Sequence, residues 1–346
     1  MAYTTIDNSA DYFNTKLYTG NGSTQSITGV GFQPDWVWIK VRSQAHNHYL
    51  YDAVRGAQEK LSSNTNGAEI DMGSTGLTAF NSDGFSIGND TDENASGETY
   101  ASWNWLAANG TASNTDGSIT TTVSANTTAG FSIVSYTGTG SNATVGHGLG
   151  VAPSVIILKG LVGTREWAVY HTGLGGNTYG IHLNTTAARS TETSWWNSTS
   201  PTSSVFTIGT SGNANDSGNG MIAYCFAEKK GYSKFGKYTG NGNADGTFIY
   251  TGFKPAYLLI KNISSGSTNW HIYDNKRLGY NVDNDMQRAN LNNADQTDDD
   301  LDILSNGFKL RRVTSALSTN GDTYIYMAFA ENPFVTSGVK LPTTAR

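Results

Sequence analysis

Tyr18-Thr19-Gly20-Asn21-Gly22, followed by Pro34-Asp35-Trp36-Val37-Trp38-Ile39-Lys40, decides the fold, because the chain contains this phrase three times. It returns as Tyr136-Thr137-Gly138-Thr139-Gly140 with Pro153-Ser154-Val155-Ile156-Ile157-Leu158-Lys159. The third copy is Tyr238-Thr239-Gly240-Asn241-Gly242 with Pro255-Ala256-Tyr257-Leu258-Leu259-Ile260-Lys261. The proline lies 16 residues after the tyrosine in the first copy and 17 in the other two, a spacing too regular for chance. Later stations recur as well. Tyr49-Leu50-Tyr51-Asp52 is answered by Trp167-Ala168-Val169-Tyr170-His171 and by Trp270-His271-Ile272-Tyr273-Asp274. The closing strand-like segments are Thr99 to Leu106, Met221 to Glu228 and Thr323 to Glu331.

These segments are short, β-branched or aromatic, and bounded by Gly, Asn, Asp or Ser, which is how strands read. Phe85/Ile87, Phe206/Ile208 and Phe308/Leu310 each set two large residues on one face at a spacing of two. Val155 to Leu158 is apolar on both faces, as a strand covered on each side must be. The pattern predicts an all-β chain of three tandem β-sandwich, jelly-roll-like domains, from repeats of about 100 residues that each own a core. Residues 1–107 hold a polar N-terminal arm and the first sandwich. Residues 108–230 hold a Ser/Thr/Asn/Gly-rich linker, with room for a short strand at Ile119 and Val123, and the second sandwich. Residues 231–346 hold the third sandwich and a C-terminal coda.

Composition narrows the function. Forty glycines among 346 residues and a charged fraction of 14% imply many turns and little helix. A net charge of −6 gives no basic footprint, so nucleic acid is not an expected partner. A single cysteine excludes an internal disulfide. The first residues lack a basic start and an apolar stretch, and no apolar run approaches the roughly 18 residues of a membrane helix. A soluble chain made in the cytoplasm, without membrane insertion, is the expectation.

The glycine loops after each Tyr-Thr-Gly lead into strand-like residues, not a helix N-terminus, so they read as turns and not phosphate cradles. His46 and His48 share a face at i, i+2 but lack a third ligand pattern. Acids gather at Asp90, Asp92 and Glu93 and at Asp298, Asp299, Asp300 and Asp302. Either cluster could bind calcium through oxygen ligands, yet neither follows a calcium-loop spacing and solvated loop acids are the ordinary reading; no cofactor is called for. Catalytic residues are not expected either, since no nucleophile motif stands out. Trp36/Trp38 and Trp103/Trp105 read as core. Trp195-Trp196 is the candidate contact for a ligand or partner. Neighbours on a strand face opposite ways, so at most one ring would enter the core of that domain and the other would lie on a surface, where it could stack on a sugar or anchor a partner protein; core packing or an inter-domain contact is the reading weighed ahead of a ligand role.

Several phrases resemble virion proteins of tailed bacteriophages, a tail-fibre or structural group common in phages of aquatic bacteria. They are Tyr18-Thr19-Gly20 and Phe32-Gln33-Pro34-Asp35-Trp36-Val37-Trp38-Ile39-Lys40 with Tyr51-Asp52-Ala53-Val54-Arg55-Gly56-Ala57, Asn81 to Gly88, Tyr100 to Trp105, Trp167 to His171, Ala223 to Gly231 and Ala328 to Val335. The resemblance spans nearly the whole chain and transfers no catalytic residues. It implies a non-catalytic structural protein on the virion exterior, a tail fibre or tail-associated protein that recognises host surface glycans and contacts other virion proteins. The alternative it implies is a capsid decoration or head-fibre protein, oligomeric in the particle or seated as a pseudo-trimer on a three-fold site. A glycan-degrading enzyme is the third and least favoured class.

Overall fold

The computed structural model describes residues 4–277, 281, 284–298 and 300–333. The first copy comprises β1 (Phe13–Thr19), β2 (Gln25–Thr28), β3 (Trp36–Val41), β4 (Tyr49–Asp52), β5 (Gly56–Leu61), β6 (Ile70–Asp71), β7 (Leu77–Asn81), β8 (Gly84–Ile87) and β9 (Thr99–Trp105). One-turn helix α1 (Thr91–Asn94) precedes the last of these. A large antiparallel sheet runs β1-β9-β3-β4-β5-β6, and a small one runs β2-β8-β7.

The second copy has β10 (Ala112–Asn114), β11 (Thr121–Asn126), β12 (Phe131–Thr137), β13 (Ala143–Gly146), β14 (Val155–Gly160), β15 (Ala168–His171), β16 (Tyr179–His182), β17 (Ser190–Thr191), β18 (Val205–Ile208) and β19 (Gly220–Phe226). It carries helices α2 (Thr193–Trp196) and α3 (Gly212–Asn215). The third has β20 (Ser233–Thr239), β21 (Phe248–Tyr250), β22 (Phe253–Asn262), β23 (Trp270–Asp274), β24 (Asn284–Arg288), β25 (Gln296–Asp298), β26 (Leu301–Leu304), β27 (Gly307–Leu310) and β28 (Thr323–Pro333). The orders β12-β19-β14-β15-β16 and β20-β28-β22-β23-β24 repeat β1-β9-β3-β4-β5 strand for strand. The stretch expected as a linker is instead built: β10 and β11 extend the second large sheet, with Val123 opposite Val134. Side-chain composition had marked it as loop, but pairing satisfies its backbone. The arm is likewise anchored, since Ile6 is buried in the core. Residues 337–346, the coda, lie outside the described residues.

Alternation along the central strands explains where the core sits. Trp36 and Trp38 point to one face of β3 and Val37, Ile39 and Val41 to the other. The same split places Val155/Ile157 against Ile156/Leu158, and Tyr257/Leu259 against Leu258/Ile260. The second set in each copy packs under its small sheet, making three outer cores. The first set from all three copies joins one cluster. There Trp36 stacks on Tyr224 (4.4 Å between centroids), Phe13 stacks on Phe329 (5.3 Å), and Trp105 meets Tyr257 edge-on (5.6 Å). The expectation of three separately cored sandwiches is therefore corrected. Each large sheet has two buried faces, and the inner one is completed only by the other two copies.

Backbone bonds close this arrangement into a ring. Two residues beyond the recurring lysine, a carbonyl accepts an amide from the next copy. Asp295 N–H donates to Arg42 O (2.7 Å), Glu69 to Leu161 O (3.0 Å) and Arg189 to Ile263 O (3.3 Å). The links run from copy three to one, one to two and two to three, so every copy gives one and receives one.

Candidate functional site

The recurring residues turn out to build the frame. Each Tyr-Thr-Gly tyrosine donates its hydroxyl to a backbone carbonyl of its own copy: Tyr18 to Glu93 O (2.9 Å), Tyr136 to Ala214 O (2.7 Å) and Tyr238 to Leu317 O (3.0 Å). The following glycine must be glycine because the chain passes too close. A Cβ on Gly20, Gly138 or Gly240 would stand 2.1, 2.2 or 2.3 Å from the carbonyl oxygen of Ala95, Asp216 or Thr319. In the first two copies an asparagine clasps the loop from below: Asn94 donates to Gly88 O, and Asn215 to Gly209 O (2.6 and 2.7 Å).

The aspartate station joins the copies. Asp52 and Asp274 each accept two backbone amides and an arginine, Arg55 or Arg277, three residues on. Their remaining capacity crosses to the neighbour, where Tyr224 OH donates to Asp52 (2.8 Å) and Trp103 Nε1 to Asp274 (2.9 Å). In the second copy the station is His171, and its counterpart in the neighbour is Met327, which has no proton to give. The bond runs the other way: His171 Nδ1 accepts from Gly173 N–H (2.8 Å), so Nε2 carries the proton to Tyr326 O (3.1 Å). Burial depresses the His171 pKa to about 4, which keeps the ring neutral for this role.

The sequence candidates scatter. His46 pairs with Asp92 (2.7 Å), whereas His48 is buried between Trp38 Nε1 and Arg288 O. Asp90 caps α1, Asp92 takes the Tyr49 hydroxyl, and Glu93 takes that of Tyr51. Burial raises the Glu93 pKa to about 8. Asp298 pairs with Arg312 and Asp302 with Arg311 (2.7 Å each); Asp299 lies outside the described residues. Among the described residues no three His, Cys, Asp or Glu side chains gather to hold an ion. Trp36, Trp38, Trp103 and Trp105 are core, as expected.

Trp195 and Trp196 require a correction. They lie on α2, not on a strand, so both rings turn inward and are 2% and 1% exposed. Trp195 covers Gly180 and meets His182 edge-on at 4.8 Å, while Trp196 packs on Tyr170 at 5.8 Å. Neither ring is available to a ligand.

What could meet a ligand is found where the third copy departs from the others. Ile27 and Ile249 point inward at matching places in the small sheets. Their outward neighbours are Ser26 and Thr28 in the first copy, and Thr144 and Gly146 stand at those places in the second. In the third they are Phe248 and Tyr250, 44% and 57% exposed on edge strand β21. The third copy also has an open cleft of about 270 Å³, lined among others by His271, Met286, Arg288, Asp298, Asp300 and Thr314.

The fold is an all-β chain of three like copies around a common core, with the exposed aromatic pair and the cleft both on the third copy. The chain belongs to the family described as a domain of unknown function, DUF7483, whose model matches residues 8–333. No curated protein and no solved structure matches it. Among the described residues no helix is long and apolar enough to cross a membrane.

Proposed function

We propose that this chain is a non-catalytic structural protein on the exterior of a tailed-phage virion, a tail-fibre or tail-associated component that recognises host surface glycan. The observation that carries the binding role is the exposed Phe248/Tyr250 pair. Solvated aromatic rings two apart on a strand share one face, and such a face stacks on sugar rings while hydroxyls stay in water. The virion assignment rests on the resemblance of the recurring phrases. The recurring residues serve packing and inter-copy bonds, which suits a rigid carrier. The test is co-sedimentation of purified chain with host cells and extracted envelope polysaccharide, alongside the double variant Phe248→Ser/Tyr250→Thr. Binding by the chain and loss of about tenfold or more in the variant is expected; equal binding by both would overturn the reading. Hydrolysis of the polysaccharide by the purified chain would replace it with the enzymatic alternative.

The cyclic contacts favour a second reading of where the protein sits. One chain with three like faces fits a three-fold capsid position as a single copy, the decoration alternative. A reconstruction of the particle with this chain at capsid three-folds, and none on the tail, decides for it.

A further inference from the structure

The cleft of the third copy corresponds to a place that the second copy fills with its own side chain. Strand register sets the correspondence: Ala168 pairs with His182 as His271 pairs with Arg288, so Gly180 corresponds to Met286. In the second copy the Trp195 ring lies on Gly180 and against His182. In the third, Met286 and Arg288 face the open cleft instead.

The chemistry of the walls selects an occupant. Arg288 and Thr314 line the cleft, and behind its surface Arg288 Nε and Thr314 Oγ1 are buried atoms without a hydrogen-bond partner among the described residues. The lining also holds Asp298, which accepts from Arg312 (2.7 Å), and Asp300, which accepts from Tyr273 OH (2.7 Å). Two arginines balance two aspartates, and the fifth titratable group, His271, is neutral because burial takes its pKa to about 3. An ionic ligand of either sign would meet its own sign in the lining. A neutral polyol would not, because each hydroxyl can donate to a carboxylate and accept from a guanidinium. A volume of about 270 Å³ falls just below the roughly 300–1,000 Å³ of drug-sized pockets, and so suits one sugar ring.

We propose that this cleft binds one neutral pyranose unit, its hydroxyls held by the arginines, the aspartates and Thr314 of the lining. The inference rests on the glycan reading above and gives it a subsite distinct from the aromatic pair. The experiment is saturation-transfer NMR and calorimetry on the full chain with methyl glycosides of glucose, galactose, mannose and N-acetylglucosamine, and with glucuronate as the charged comparison. Two variants accompany it. Ser315→Trp plugs the rim at an exposed residue whose backbone carbonyl, not its side chain, accepts from Asn262 Nδ2 and the Tyr324 hydroxyl. Thr314→Val removes the orphan hydroxyl at nearly constant volume. Binding of at least one neutral glycoside is expected, weakened at least about tenfold by the plug and several-fold by the valine. No neutral glycoside bound, preference for glucuronate, or undiminished binding by Ser315→Trp would each overturn the cleft proposal. Polysaccharide binding that still depends on Phe248 and Tyr250 would, in that event, leave the broader reading standing.

Discussion

At the level of single residues, the buried ionisable groups set how stability varies with pH. Lys40, Lys159 and Lys261 are fully buried at the ends of the central strands, where each ammonium donates to backbone carbonyls. Burial lowers their pKa values from 10.5 to about 7, 8 and 7. A base depressed in this way holds its proton less tightly folded than unfolded, so the folded state gains as pH rises from about 7 toward 10.5. Glu93, raised from 4.5 to about 8, contributes stability at low pH that is lost across that interval. Above about pH 8 the lysines dominate, until the raised Cys225 thiol and buried tyrosines reverse the trend. Unfolding free energies from urea titrations should therefore climb between about pH 8 and 9.5, by at most about 1.4 kcal/mol per pH unit for each lysine. The triple Lys→Met variant should flatten that slope, and an unchanged slope would count against the buried-ammonium account. His171 yields a second expectation. His171→Asp sets a carboxylate against the Tyr326 carbonyl, so unfolding free energy should fall by about 3 kcal/mol or more. Adding Met327→Trp supplies the indole donor that Trp103 gives Asp274, and should recover at least about 1 kcal/mol in a double-mutant cycle.

At the level of elements, the Tyr-Thr-Gly turn shows that a glycine can be required by contact alone. Gly138→Ala would drive a Cβ to 2.2 Å from the Asp216 carbonyl, backbone that cannot swing aside. A loss of about 2–4 kcal/mol is expected. Gly150→Ala, at φ +70° with nothing within 4 Å, should cost only about 1 kcal/mol, its backbone preference. Comparable thermal shifts for the two would refute the contact argument. The strands themselves were legible because period-two alternation and fixed spacing survive in any copy, as Phe85/Ile87 and its counterparts illustrate. The helix bearing Trp195 and Trp196 was not, since four residues from Thr193 to Trp196 are too few to display a helical period. The outward aromatic pair was readable in hindsight. Aligning Ser26-Ile27-Thr28 with Phe248-Ile249-Tyr250 keeps the inward isoleucine and exposes the two rings.

At the level of the whole molecule, the sequence told which strands are apolar on both faces but not what covers the second face. Trp36-Val37-Trp38-Ile39 would read the same if one sandwich enclosed it or if three copies met on it. The structure chooses the latter, and this has a consequence for folding. The cluster around Trp36, Tyr224, Trp105, Tyr257 and Phe329 takes rings from every copy, so no copy can bury its inner face alone. The cyclic backbone bonds add that removing any one copy strips both of its neighbours. The full chain should therefore unfold in a single calorimetric transition, with calorimetric and van't Hoff enthalpies in agreement. Residues 8–107 expressed alone should lack near-ultraviolet dichroism from Trp36, Trp38, Trp103 and Trp105 and should bind a hydrophobic dye, while keeping much of their strand content. Three resolved transitions, or a native-like spectrum from that fragment, would mean that the outer cores suffice and that the common core is only a contact between finished domains.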